Sequence, residues 1–329
     1  MRKSRCCVAV VWRINDRRRQ CSNCRRSWRI WRKRRGRARL RSLDRLVHQV
    51  LVEHRSLTHL ARRYGMTRQA LSYRFLRALE SFLRRSRPAN ISGAEHFVLL
   101  IDGLRFRFKR RPWVLYLMAF KPPDASSATF IDPVLQEGPE SRDAWRQALK
   151  TIPAMNRAKI RALVCDNFRG STTIAAENRW VLQLCQFHLK AAIYKLLGRR
   201  FRFTVGQRPA REEAYALIQY ALAARADQRI AAATARLSAL AEQGCLPYRF
   251  TMILREFVRR LADYRAYRKY PSLRLPRTTS SIESKGRMIR DLMGRARSLR
   301  TPKAVRLWAT SYIRLRPTIT CRPATLSTN

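Results

Sequence analysis

The chain has 329 residues, of which 46% are hydrophobic, and its formal net charge is +50. This length and hydrophobic content allow two or three domains with at least one sizeable core, and they exclude a disordered basic tail. A charge of this size would repel itself unless a polyanion neutralised it, so nucleic acid is the expected partner.

The N-terminal arm, residues 1–40, is basic and contains the motif Cys21-Ser22-Asn23-Cys24. A Cys-x-x-Cys pair followed by basic and aromatic residues is half of a zinc ribbon, but the only upstream cysteines are the adjacent Cys6 and Cys7. Two interpretations stay open: a partial zinc ribbon in which Cys21 and Cys24 bind Zn2+, or two free thiols. The eight cysteines of the chain are too sparse for a secreted disulfide scaffold.

Residues 41–87 have the pattern of a helix-turn-helix DNA-binding domain. A helix from Leu57 ends at Gly65, and Thr67 is placed to cap the next helix. The second helix presents five polar side chains of the types that read a DNA groove: Arg68, Gln69, Ser72, Tyr73 and Arg74. The alternative is an ordinary basic helical hairpin.

A new domain begins with the apolar run Val98–Ile101, which ends in Asp102 and Gly103. Such a run suits a strand buried on both faces, here ending at Asp102. We expect a basic turn at 105–111 that could grip phosphates or simply be solvated, then strands at 113–120 and 128–135 in an antiparallel meander. A helix follows. Glu137, Glu140 and Asp143 could add a carboxylate to a site, but we expect Glu140, at the helix start, to complement the helix dipole.

The strand pattern repeats at 160–165, where another apolar run ends in Asp166. A further strand is expected over 180–188, with Cys185 and His188 near its end. Helical periodicity then continues to about residue 270. Hydroxyl residues precede a helix that carries Glu283, a last helix is expected over 302–315, and the tail is expected to be loose.

Asp102 and Asp166 would converge if their strands lie side by side, and Glu283 could pack across the same edge. Converging carboxylates suit a hard cation such as Mg2+ (or Mn2+), and a pair of such ions supports phosphodiester chemistry. A strand that merely ends in a turn is the alternative for each aspartate.

These motifs, in this order, resemble those of DDE transposases of bacterial insertion sequences, in the broad Mutator-like group with a ribonuclease-H-like catalytic core. The matching pieces are Leu100-Ile101-Asp102-Gly103, Val164-Cys165-Asp166-Asn167-Phe168-Arg169-Gly170, Gln183-Leu184-Cys185-Gln186-Phe187-His188 and Ser281-Ile282-Glu283-Ser284. The resemblance spans roughly residues 10 to 315 and departs from the family at the incomplete zinc ribbon. It implies that Asp102, Asp166 and Glu283 are catalytic acids that bind Mg2+. Cys185 and His188 match a Cys-x-x-His element of the family, for which we favour a structural role over zinc.

The expected fold class is α/β: a ribonuclease-H-like mixed sheet with a helical insertion, preceded by an all-α helix-turn-helix domain and a partial zinc-ribbon-like basic arm. After the arm (1–40) and the DNA-binding domain (41–87), the expected parts are the first part of the core (95–189), the insertion (190–275), the C-terminal core helices (276–316) and a loose tail (317–329).

The expected function is transposition: binding of double-stranded DNA at element ends and target, followed by metal-dependent strand cleavage and strand transfer. We expect a homodimer or higher oligomer on DNA. Since no apolar run reaches membrane-spanning length, we expect a cytoplasmic, nucleoid-associated protein that does not contact the membrane. The alternatives are a structure-selective ribonuclease-H-like nuclease, a non-catalytic regulator derived from a transposase, and a nucleic-acid packaging protein.

Overall fold

The computed structural model describes residues 11–15, 18–21, 27–29, 43–91, 93–197, 207–296 and 301–321, the first three segments as backbone only. The chain divides into two compact units, residues 1–75 and 76–329. Among the helices of the described segments, none is both long and apolar enough to cross a bilayer.

The first unit contains a small antiparallel sheet and the beginning of a helical region. The sheet consists of β1 (Val11–Asn15), β2 (Arg18–Cys21) and β3 (Ser27–Arg29) in that order. Cys24 and the side chain of Cys21 lie outside the described residues. Zinc binding by these two cysteines therefore stays a prediction.

Three helices follow in series: α1 (Leu43–Leu51), α2 (Leu57–Tyr64) and α3 (Arg68–Arg85), of which α3 contains the division between the two units. The predicted end of α2 and the predicted cap of α3 are both confirmed. Gly65 ends α2 in the left-handed conformation, where its N–H donates to the carbonyls of Ala61 and Arg62. Thr67 Oγ1 accepts a hydrogen bond of 3.1 Å from the N–H of Ala70 and so caps α3.

Replacing Gly65 with Ala is expected to lower the free energy of unfolding of the first unit by about 1 kcal/mol, because a Cβ is disfavoured in the left-handed region that this residue occupies, at φ 65°. Urea denaturation followed by circular dichroism measures the change. Gly294→Ala is the matched control, since that glycine lies within a helix and an added Cβ there meets nothing within 4 Å. An equal loss in both variants would contradict the explanation.

The second unit is built on a mixed sheet of seven strands in the described part of the chain. They are β4 (Phe97–Phe108), β5 (Arg111–Lys121), β6 (Ser127–Phe130), β7 (Val134–Glu137), β8 (Ile160–Cys165), β9 (Val181–Leu184) and β10 (Thr318–Thr320). The order is β10-β6-β5-β4-β8-β9, with β7 paired to β5. The pairs β4–β5 and β5–β6 are antiparallel, whereas β4–β8 and β8–β9 are parallel. This architecture is α/β and is compatible with a ribonuclease-H-like fold.

Helices connect and cover the strands. They are α4 (Arg142–Lys150), α5 (Ala154–Ala158), α6 (Ser171–Glu177), α7 (Gln186–Leu197), α8 (Gln207–Ala223), α9 (Asp227–Glu242), α10 (Tyr248–Arg259), α11 (Leu261–Tyr264), α12 (Ala266–Lys269), the 3-10 helix Pro271–Leu273, α13 (Ser280–Ala296) and α14 (Pro302–Leu315). Alternate residues of β4, among them Leu99 and Ile101, pack with Trp145 of α4 and Ile174 of α6 in one apolar core that continues into the helical insertion.

The strand predicted to end at Asp102 instead runs to Phe108, and the predicted basic turn over 105–111 is wrong. Arg105 and Arg107 are exposed while Leu104 is buried, so the basic residues alternate with apolar ones as a strand with one solvated face requires. The turn itself is only two residues, Lys109 and Arg110, both at positive φ.

Three other expectations also need correction. The strand expected over 128–135 is split into β6 and β7. The strand expected over 180–188 ends at Leu184, and His188 lies in the first turn of α7, because the helical pattern of the following residues begins at Gln186. Within the tail, β10 pairs with β6 rather than being loose, and residues 322–329 lie outside the described residues.

Candidate active site

Asp102 and Asp166 come from neighbouring parallel strands. The register of β4 and β8 places Leu100 beside Val164, and each aspartate follows two residues later along its own chain. Because side chains alternate along a strand, Asp102 is directed to the same face as Leu100, and Asp166 follows directly after the last residue of β8. The adjacency on which the predicted convergence depends is therefore confirmed.

The two carboxylates share a site that disfavours negative charge. Burial, and after it the charge of Asp166, raises the pKa of Asp102 to about 7 against the opposing effect of His188. Burial, and after it the charge of Glu140, raises the pKa of Asp166 to about 6, again with His188 in opposition. Among the described residues neither aspartate forms an ion pair, so an added cation would relieve the repulsion.

Glu140 is a fourth acid at this site, a possibility that the sequence offered but that was set aside in favour of a role at the helix dipole. Its side chain is 6% exposed, and its carboxylate accepts hydrogen bonds from Trp145 Nε1 at 3.1 Å and from Arg105 Nη2 at 3.2 Å. Its direct partners are thus Trp145 and Arg105, while Ser141 caps α4. The available signal was Gly103, because a glycine inside a strand marks a close approach by another group.

Gly103 is required because Glu140 occupies the space of its missing side chain. A Cβ at this position would lie 2.6 Å from Glu140 Oε1. Gly103→Ala is therefore expected to lower the free energy of unfolding by about 1–3 kcal/mol, since the carboxylate could move only by losing its bonds to Trp145 and Arg105. Thermal unfolding measures the loss. In a Glu140→Ala background the same change should cost less than about 0.5 kcal/mol, and an equal cost in both backgrounds would exclude the clash as the cause.

Arg105 brings positive charge to the rim of the site. Its side chain is 76% exposed, it is anchored on one side by Glu140, and its charge lowers the pKa of Asp166. The hairpin that follows carries four further basic residues: Arg107, Lys109, Arg110 and Arg111. A guanidinium that is held at one edge and open to solvent is suited to a phosphate oxygen.

Glu283 lies in the first turn of α13, which packs closely on β4. A Cβ on Gly286 would lie 2.7 Å from Leu104 Cδ2, so the glycine allows this approach. The charge of Glu283 raises the pKa of Asp102, but less than the charges of Asp166 and Glu140 do. Its side chain is 28% exposed and pairs with Arg287 at 3.7 Å. The structure thus brings Glu283 to the Asp102 side of the site.

Cys185 and His188 fasten the start of α13 to the core. Thr279, directly before α13, donates its N–H to Cys185 Sγ at 3.2 Å, and its Oγ1 lies 3.4 Å from His188 Nδ1. Burial alone would raise the pKa of Cys185, but hydrogen bonds from His188 and Thr279 shift it downward overall. The bond to Cys185 raises the pKa of His188 to about 9, with a smaller contribution from the two aspartates. His188 therefore adds positive charge beside the carboxylates.

The carboxylate oxygens at this site are the ligand type that a hard divalent cation prefers, but the described residues do not surround such an ion completely. Within the described segments, no three histidine, cysteine, aspartate or glutamate side chains are grouped closely enough to hold a metal ion. Mg2+ commonly binds through one or two carboxylates together with water and substrate phosphates. Asp102 and Asp166 supply such a pair, with Glu140 and Glu283 at its edges.

The five side chains predicted to read DNA all lie in the first two turns of α3. Gln69, Tyr73 and Arg74 are exposed, and Tyr73 keeps 65% of its surface accessible to solvent. Arg68 and Ser72 are half-buried. Leu71 and Phe75, on the opposite side of the helix, are buried in the core of the helical region. Gln69, Tyr73 and Arg74 thus form an exposed patch on the side of α3 away from the buried residues.

No model of a known protein family matches the chain, and no curated protein is similar to it.

Proposed function

We propose that this protein is a DDE-type DNA transposase that cleaves and joins DNA at the edge formed by Asp102 and Asp166. The observation that carries the proposal is this pair of carboxylates on adjacent parallel strands, with pKa values raised to about 7 and about 6. Strongly perturbed carboxyl groups beside one another are typical of sites that bind metal or move protons. Glu283 is the proposed third acid.

Mg2+ or Mn2+ bound by the Asp102 and Asp166 pair, with Glu283 as a proposed third ligand that would have to move closer when metal and DNA bind, would activate an attacking hydroxyl and stabilise the leaving oxygen of a phosphodiester. The protein's own groups have separate tasks. Arg105, fixed by Glu140, would bind a phosphate next to the reacting one, and His188 would offset the charge of the two aspartates before DNA arrives. Catalysis of this kind depends mainly on positioning and electrostatics.

DNA binding is proposed for the helical region in the first unit. The polar residues Gln69, Tyr73 and Arg74 project from the start of α3, and the capped turn between α2 and α3 is typical of a helix-turn-helix. The partners would be element ends and target DNA, bound by a dimer or higher oligomer in the nucleoid. The net charge of +50 supports binding to a polyanion.

The test is a strand-transfer assay with the full chain. Supercoiled plasmid and a labelled duplex with a free 3′-hydroxyl are incubated with the protein and Mg2+ or Mn2+, with EDTA as the control. A transposase should nick DNA and join the labelled strand to the plasmid, in both cases only with metal. Nicking without joining would indicate a nuclease, and binding without either reaction would indicate a regulator.

A further inference from the structure

The helical insertion contacts the Asp166 end of the core through a buried arginine. Arg260 follows α10, its side chain is 7% exposed, and its Nη1 donates to Asn167 Oδ1 at 2.6 Å. Asn167 is the residue directly after Asp166. A residue of the insertion, 93 positions away in sequence, therefore holds the turn that carries a candidate metal ligand.

Both ends of the Asn167 amide are fixed by the insertion. While its oxygen accepts from Arg260, its Nδ2 donates to Glu256 Oε1 at 3.3 Å. Glu256 and Arg260 are one helical turn apart, and Asp263 Oδ2 accepts from Arg260 Nε at 3.0 Å. The guanidinium meets the amide oxygen and the carboxylate meets the amide nitrogen, so the orientation of Asn167 is determined by charge as well as by distance.

The end of the insertion is itself fastened to β9. The carbonyl of Tyr264 accepts hydrogen bonds from Gln183 Nε2 at 3.0 Å and Gln186 Nε2 at 2.9 Å, and the N–H of Tyr267 donates to Gln183 Oε1 at 2.8 Å. All of these groups are buried. The segment that follows Arg260 is therefore held in place by buried hydrogen bonds, and this fixes the position from which Arg260 reaches Asn167.

An arginine at this buried position also costs free energy that an apolar residue would not. Within the described part of the chain its Nη2 is buried without a hydrogen-bond partner. A buried cation with an unmet donor costs free energy, and apolar residues often replace buried ion pairs without loss of stability. Packing alone therefore does not account for an arginine here, whereas control of the Asn167 amide does.

We propose that Arg260 is a positioning residue for the reaction: it holds Asn167, and through Asn167 the turn at Asp166, so the insertion is a working part of the active site. The inference rests on the proposed function, since the reaction to be measured is DNA strand cleavage. Misplacement of a reacting group by about 1 Å can cost about 100-fold in rate, so a small movement of this turn is sufficient.

The test compares Arg260→Met, Arg260→Lys, Asn167→Ala and the Arg260→Met/Asn167→Ala double variant in the full chain. Arg255→Met is the matched control, because Arg255 is an exposed arginine on α10, the helix that directly precedes Arg260. Arg260→Met is expected to lower the single-turnover cleavage rate at saturating DNA by about 10–100-fold, with the DNA concentration for half-saturation changed less than about twofold. Arg260→Lys should restore part of the rate.

The double variant should be no slower than the slower single variant, because both changes break the same link. Multiplied losses, or a loss that follows only the melting temperature, would overturn the positioning role. Asn167 is exposed, so Asn167→Ala tests the link even if Arg260→Met fails to fold. Full cleavage by Asn167→Ala overturns the inference and leaves the proposed function intact, whereas inactive wild-type protein overturns both.

Discussion

Asp102→Asn and Asp166→Asn are each expected to lower the rate of Mg2+-dependent strand cleavage by about 1,000-fold or more. Asparagine keeps the shape and one oxygen of each side chain but removes the charge that a divalent cation needs. Metal stabilisation of a phosphoryl transition state contributes several kcal/mol, and each 1.36 kcal/mol corresponds to a tenfold change in rate. Cleavage of supercoiled plasmid under single-turnover conditions gives the rate.

DNA binding should change by less than about twofold in the same variants, because the proposed binding residues lie on α3 in the other unit. Asp124→Asn is the matched control: Asp124 is 85% exposed, and its pairing with Arg274 at 3.4 Å lies at the surface. Cleavage at the wild-type rate by either of the two aspartate variants would reject the assignment. Glu283→Gln should also lose activity, and its full retention would limit the catalytic acids to Asp102 and Asp166.

Local sequence signals, such as capping residues and apolar runs, predicted several elements correctly. Gly65 and Thr67 mark helix boundaries because their effects are confined to neighbouring backbone groups, and the structure places them as predicted. The last helix, α14, matches the expected 302–315 because Thr301 caps it and Pro302 occupies its first turn. Two apolar runs ending in aspartate also predicted strands that prove to be adjacent and parallel.

The features that the sequence missed or assigned to another role depend on distant partners. Glu140 becomes part of the site only because β4 lacks a side chain at Gly103 and Trp145 supports the carboxylate. The extension of β4 past Asp102 depends on its antiparallel partner β5, which pairs as far as Phe108 with Arg111. The link from Arg260 to Asn167 joins segments 93 residues apart. Periodicity along the chain carries no signal for such contacts, since tertiary packing decides them.

At neutral pH, Asp102→Asn is expected to stabilise the protein. The pKa of Asp102 rises from 3.8 to about 7 on folding, so between these values the folded state binds the proton more tightly than the unfolded state. The stability that this group contributes is therefore complete below about pH 4 and is lost as the pH rises through about 7. Asn removes the titration, and the variant should exceed the wild type by roughly 2–4 kcal/mol at about pH 8.

Thermal unfolding at about pH 8 and about pH 4, with and without Mg2+, separates a metal site from a buried structural carboxylate. At the lower pH the difference between Asp102→Asn and the wild type should nearly vanish, because Asp102 is then protonated in the folded protein. At the higher pH, Mg2+ should raise the melting temperature of the wild type, since it binds the folded state alone, and should not raise that of the variant. A carboxylate that serves only the fold would show neither the stabilisation by Asn nor the selective effect of Mg2+. A wild type more stable than Asp102→Asn at both pH values would show that Asp102 is held by structural partners rather than kept ready for a cation.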